Sequence, residues 1–252
     1  MTQQLFAAET GTGSRVVVLI HGFGGFHGIW DQVATELASE NRVIAYDLPG
    51  HGGSLGWPGA GPAKIAVRAI LADLAARGIE KVHLVGHSMG GAIAALAALS
   101  DPARIASLTL LAPGGFGEEI AGPLLRRFAA ARSQAEIRDC LDAMSGPEFH
   151  PPDNSIEALE TVRSIDGQRE KLIEIAGAIT ENDRQGVIPR EMLAKLTMPV
   201  AVAWGTEDSV LPFSQTTGLP SAFRLYPLQG AGHMLPEEAP ETVLDIIRRT
   251  MG

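Results

Sequence analysis

The segment Gly86-His87-Ser88-Met89-Gly90-Gly91 constrains the fold of this chain more than any other stretch. A β-type run, Lys81-Val82-His83-Leu84-Val85, leads into it, and an Ala-rich helical run, Ala92 to Ser100, leads out. A chain that turns sharply from strand to helix brings its own backbone into close contact. Only small residues fit there, and Gly86, Gly90 and Gly91 meet that demand. Such a turn lifts the Ser88 hydroxyl above the sheet edge. A G-x-S-x-G string alone is a weak signal, because Gly and Ser are common. Its seat between a strand and a helix gives it weight.

The rest of the chain agrees with that seat. Strands are expected near 4–8, 16–20, 42–46, 81–85, 107–112, 199–204 and 222–227. Helices are expected near 30–40, 63–77, 89–100, 190–196, 212–218 and 238–250. Alternation of this kind indicates an α/β fold, a mostly parallel sheet with helices on both faces. The first strand is expected to pair antiparallel at an edge. Residues 115–188 break the alternation with helical patterns only, punctuated by Pro147, Pro151 and Pro152. The chain therefore reads as a core, 1–114 and 189–252, with a helical insertion over 115–188.

A serine is a poor nucleophile until a base takes its proton. An imidazole titrates near neutrality and suits that task. His233 stands in Gly230-Ala231-Gly232-His233-Met234, just after a predicted strand. A carboxylate can hold such a ring in the right tautomer. Glu207 and Asp208 both follow the strand 199–204, and either could serve. In an open α/β sheet the loops at the carboxyl ends of strands gather at one edge, so Ser88, one of these acids and His233 can meet. Attack on a carbonyl also creates an oxyanion. Losing one backbone N–H aimed at it costs about 3 kcal/mol. The loop His21-Gly22-Phe23-Gly24-Gly25 follows Val16 to Ile20 and can supply such a donor, with His21 pinning the loop.

With these residues in hand, the chain resembles the α/β-hydrolase fold serine hydrolases over nearly its whole length. The order Ser, Asp, His is theirs, and their G-x-x-D pattern assigns the acid to Asp208 rather than Glu207. The resemblance implies Ser88 as nucleophile, His233 as base, and the N–H groups of Phe23 and Met89 as the oxyanion hole. Asp47-Leu48-Pro49-Gly50-His51-Gly52-Gly53-Ser54 is similar to a loop of this family whose Asp and glycines are structural. The insertion 115–188 looks like the family's cap, which excludes water and shapes the pocket. His87, Phe128, Met144 and Trp204 are expected to touch substrate; Phe116, Leu124 and Phe149 are further apolar cap side chains that could face it. Leu111 to Ile120 resembles the hydrolase-like domain of acetoin dehydrogenase acyltransferase subunits. The chain leaves no room for their lipoyl and acyltransferase modules, so acyl transfer to lipoamide is not expected.

The implied activity is hydrolysis of a small carboxylic ester, thioester or lactone through an acyl-enzyme on Ser88, with no metal or cofactor. The alternatives are C–C bond hydrolysis of a vinylogous diketone, or ligand binding without turnover. Ser88 in place of Asp excludes haloalkane dehalogenase and epoxide hydrolase chemistry. Among 252 residues, 20 basic and 29 acidic side chains give a net charge of −9 without a basic run. That argues against nucleic acid or an anionic membrane as partner and leaves a small molecule. Cys140 is the sole cysteine, which suits a reducing cytosol, and no leader or membrane span is read.

Overall fold

The computed structural model describes residues 4–252. The strands are β1 (Ala7–Thr10), β2 (Arg15–Ile20), β3 (Asn41–Tyr46), β4 (Val82–His87), β5 (Ile105–Leu111), β6 (Val200–Gly205) and β7 (Arg224–Leu228). They form one seven-stranded sheet in the order β1-β3-β2-β4-β5-β6-β7. All neighbours run parallel except β1, which lies antiparallel to β3 at the edge. The fold is that of the α/β-hydrolases, as expected. β1 sits later than predicted because β3 ends at Tyr46, opposite Ala7, so the ladder has no partner for earlier residues. Leu5 is nonetheless buried, and the Phe6 carbonyl accepts the Asp47 N–H.

The central strands are apolar without alternation because both faces are covered. Val17 to Ile20 are wholly inaccessible. The covering helices are α1 (Asp31–Leu37), α2 (Ala63–Ala76), α3 (Met89–Ser100) and, at the C-terminus, α10 (Pro240–Met251). α2 packs on α3, and α1 on α10. The helix expected over 212–218 is only a 3-10 turn, Phe213–Thr216, bracketed by Pro212 and Gly218. That expected over 190–196 is one turn, α8 (Arg190–Leu193), and α9 (Leu235–Glu238) is equally short.

Between β5 and β6 lie α4 (Gly122–Ala130), α5 (Gln134–Met144), α6 (Asp153–Arg163) and α7 (Gln168–Ile179). α4 packs mainly on α7, and α5 on α6. Ser133 and Glu136 form a capping box at the start of α5. The two stems of the insertion are zipped together. The Ile188 N–H donates to the Gly115 carbonyl (2.8 Å) and the Gln185 N–H to the Glu118 carbonyl (3.0 Å). Gln168, buried at the head of α7, accepts the Gly52 N–H (2.7 Å) and donates to the Gly50 carbonyl (2.9 Å). Cys140 is buried inside α5, where its Sγ accepts from Arg127. No helix among the described residues is long and apolar enough to cross a membrane.

Candidate active site

The parallel strands end at one edge, and the chain order reverses between β2 and β4. Ligands bind at such a switch point. Ser88 stands there, immediately after β4, with φ 54° and ψ −120°. A non-glycine residue at positive φ is strained and persists only when its surroundings enforce it. They do so here. The Ser88 N–H donates to the Leu111 carbonyl (2.9 Å), and the Ser88 carbonyl accepts from Gly91 (2.9 Å) and Gly114 (2.9 Å). A Cβ on Gly86 would lie 2.3 Å from the Gly90 oxygen, and one on Gly90 2.4 Å from the Ile20 and His21 oxygens. The small neighbours read from sequence are therefore a steric requirement.

His233 Nε2 lies 2.9 Å from Ser88 Oγ, and its Nδ1 lies 2.8 Å from Asp208 Oδ2. A carboxylate only accepts, so Nδ1 carries the proton and Nε2 presents its lone pair to the serine hydroxyl. Asp208 is buried, and its Oδ1 takes the N–H groups of Val210 (2.9 Å) and Leu211 (2.8 Å). Glu207 points outward and is exposed. The backbone thus separates two carboxylates that the sequence left adjacent.

The His233 loop is itself clamped. Glu238 Oε1 accepts the Met234 N–H (2.7 Å), while Oε2 accepts those of Gly232 (2.7 Å) and Gly146 (2.9 Å). The His233 N–H donates to the Met144 carbonyl (2.8 Å). His87 Nε2 donates to the His233 carbonyl (2.8 Å). Burial, and then the neighbouring His233, push the His87 imidazole down to about 3, so it stays neutral. Sequence reasoning missed Glu238. Its one signal is a carboxylate five residues beyond the histidine.

The loop after β2 places Phe23 beside Ser88. The N–H groups of Phe23 and Met89 have no acceptor among the described residues, and Met89 opens α3, where no intrahelical acceptor exists. His21 holds this loop: its Nδ1–H donates to the Gly22 carbonyl (2.7 Å), and its Nε2 accepts the Leu48 N–H (3.0 Å). His51 Nε2 accepts the Gly24 N–H (3.2 Å), and burial pushes that ring down to about 3. Asp47 takes the backbone and ring N–H of His27 (2.7 and 2.8 Å) and the Gly53 N–H (2.8 Å). Burial works against the Asp47 carboxylate, but these donors hold it below the ordinary range. His21, His51 and Asp47 are all occupied in building the loops.

A family profile described as the alpha/beta hydrolase family matches residues 17–246. This chain belongs to the α/β-hydrolase family. It is 37% identical over 92% of its length to the dihydrolipoyllysine-residue acetyltransferase component of the acetoin cleaving system from Pseudomonas putida, of which it covers 62%. It therefore spans less than two thirds of that relative's length. It is 26% identical over 89% of its length to a 2-hydroxy-6-oxononadienedioate/2-hydroxy-6-oxononatrienedioate hydrolase from Cupriavidus pinatubonensis, covering 82% of that protein. Among solved structures, a meta-cleavage product hydrolase from Pseudomonas fluorescens IP01 superposes with a TM-score of 0.86. That pair covers 98% of this chain and 93% of the other at 21% identity, a likeness of fold alone.

Two cavities of this α/β-hydrolase meet at Ser88. One, of about 530 Å³, runs past Met89 between α3 and the insertion, along Leu96, Leu99, Ile120, Ile179 and Ile188. The other, of about 30 Å³, lies against His233 and is walled by Ile29, Phe128, Leu141, Met144 and Glu237. Phe23 and Leu125 border both. Phe128, Met144 and His87 line the small cavity. Trp204 does not. It is wholly buried, donates Nε1–H to the Leu211 carbonyl (2.9 Å) and packs on Phe116, so both are core. Phe149 lines a groove beside β7, away from Ser88.

Proposed function

We propose that this α/β-hydrolase cleaves a small carboxylic ester, thioester or lactone through an acyl-enzyme on Ser88. The observation that carries the reading is the continuous chain Ser88–His233–Asp208 at 2.9 and 2.8 Å. Ser88 Oγ attacks the carbonyl carbon as its proton passes to His233 Nε2, and Asp208 stabilises the imidazolium. The carbonyl oxygen becomes an oxyanion facing the unpaired N–H groups of Phe23 and Met89. Collapse expels the leaving group, which takes the proton from Nε2. Water then repeats the cycle on the acyl-enzyme and frees Ser88. The insertion 115–188 acts as a cap, since from its helices Phe128 and Met144 wall the small cavity, Ile179 the large one and Leu125 both.

Hydrolysis of a dienedioate, the reaction for which the Cupriavidus relative is named, finds less support. Neither cavity is lined by an Arg or Lys that would receive its carboxylates. Binding without turnover is at odds with a serine already hydrogen-bonded to its base. The test is labelling by a fluorophosphonate, followed by a panel of esters, thioesters and lactones. Labelling at Ser88 with turnover of at least one acyl class is expected. A chain that neither labels nor turns over would overturn the reading.

A further inference from the structure

Glu237 is an ionisable side chain beside Ser88 that the proposed mechanism does not use. It is half-buried on α9 and lines the 30 Å³ cavity next to His233. The cavity is otherwise largely apolar or engaged: Ile29, Leu141, Met144 and Leu159 line it too, and His87 and His233 are committed to other partners. Its carboxyl meets the Ser155 hydroxyl of α6 and has no cationic partner among the described residues. Burial, with the nearby Glu238 adding to it, raises its pKa to about 7. Its neighbour Glu238 is fully used by three backbone N–H groups, so the two carboxylates have different tasks.

The two cavities can be assigned to the two parts of an ester. The leaving oxygen must take the proton from His233 Nε2, and His233 lines only the small cavity. The carbonyl oxygen must face the Met89 N–H, and Met89 lines only the large one. The acyl chain therefore runs into the apolar 530 Å³ cavity, and the leaving group enters the 30 Å³ cavity towards Glu237. A space of that size admits only a small group; a single water needs roughly 10–15 Å³ by the same measure.

We propose that Glu237 selects the leaving group, so that the preferred substrates are esters of an apolar acyl chain with a short alcohol that carries its own hydrogen-bond donor. The donor group, a hydroxyl in the simplest case, replaces the water that would otherwise solvate this carboxyl. An alkyl group of the same size displaces that water and leaves the carboxyl with the Ser155 hydroxyl alone, which disfavours it. This inference rests on acyl-enzyme chemistry at Ser88.

Two isosteric esters test it, 2-hydroxyethyl octanoate and propyl octanoate, with fluorophosphonate labelling of Ser88 run in parallel. Wild type should favour the hydroxyethyl ester by roughly tenfold or more in kcat/KM. Glu237→Leu should abolish or invert that ratio, and Glu237→Gln, which keeps an acceptor oxygen, should retain part of it. Thermal melts check that both variants are folded. If the labelled enzyme turns over neither ester, or if the ratio is unchanged in a folded Glu237→Leu variant, the assignment of Glu237 fails while the Ser88 chemistry stands. Absence of labelling would instead overturn the Ser88 reading itself.

Discussion

The sheet core and the helical insertion reach Ser88 in different ways. The core delivers it through backbone: strand ends, one strained turn, and loops tied by His21, His51, Asp47 and Glu238. The insertion delivers mainly side-chain walls, with the Met144 carbonyl and the Gly146 N–H as its backbone ties to the His233 loop, and is held by its zipped stems and by Gln168. A core residue displaced by an ångström breaks a hydrogen bond of about 2.8 Å. A wall residue displaced as far alters the shape of a cavity. Chemistry should therefore fail with changes in the core, and selectivity should drift with changes in the insertion.

The sharpest way to break that contrast is at the serine. Ser88→Ala should lower kcat by on the order of 10⁶-fold, since the three residues act as a unit. Asp208→Asn should cost about 10⁴-fold by presenting the wrong tautomer to Ser88. Glu207→Gln, at an exposed neighbour, should leave kcat near wild type. If the two acid variants rank the other way in steady-state assays, the hydrogen bond to Asp208 is not the functional one.

Glu238 tests whether the loop matters as much as the residue it carries. Glu238→Ala strands three backbone N–H groups around His233. A misplacement of about 1 Å can cost on the order of 10²-fold. The expected result is a fall of that size in kcat with little change in KM, partly recovered in Glu238→Gln. A change in KM alone would mean that the loop positions substrate rather than His233.

These expectations divide as the sequence itself divides. Glycines that cannot bear a Cβ, a serine between strand and helix, and acid and base after strands are local demands, so the core site was legible. The walls were less so. The insertion is built of α4 to α7, and 3.6-residue periodicity shows which face of such a helix is apolar. Periodicity does not distinguish a face packed on its neighbour from one lining a cavity, and so Phe128 and Phe116 looked alike. Trp204 looked like a pocket residue because it precedes Gly205 at the active edge, yet the sheet buries every residue of β6. Glu237 carried no signal, since a carboxylate early in a helix is ordinary.

Within the insertion, the expected changes are smaller and concern preference. Ile179→Phe on α7 narrows the large cavity and should shift the optimum towards shorter acyl chains. Phe128→Ala on α4 enlarges the small one and should admit bulkier leaving groups. One methylene in an apolar pocket is worth about 1–3 kcal/mol, so relative kcat/KM should move by roughly tenfold or more. Trp204→Phe should leave the profile unchanged and lower the melting temperature, because the Leu211 carbonyl loses its donor. A flat profile for both wall variants would place their side chains in the cap core.

The smallest expected effect is on stability, and it originates in the core loops. His51 and His87 are neutral in the folded state, their imidazoles pushed by burial to about 3, and burial lowers His21 as well. In the unfolded chain a histidine titrates near 6.5. Between those values the unfolded state binds more protons, so stability is full above about 6.5 and falls as the pH drops towards 3. At pH 5 each of these two rings contributes a loss of order 2 kcal/mol. His27 opposes the trend, since its hydrogen bond to Asp47 raises its pKa. Glu237 opposes it too, since its raised pKa favours the folded state at low pH. The net expectation is a melting temperature roughly 5–10 °C lower at pH 5 than at pH 7.5. His51→Gln keeps an acceptor for the Gly24 N–H and removes one titrating ring. Its melting temperature should fall less between the two pH values than that of wild type. An equal fall would show that His51 is not among the groups that set the acid limit.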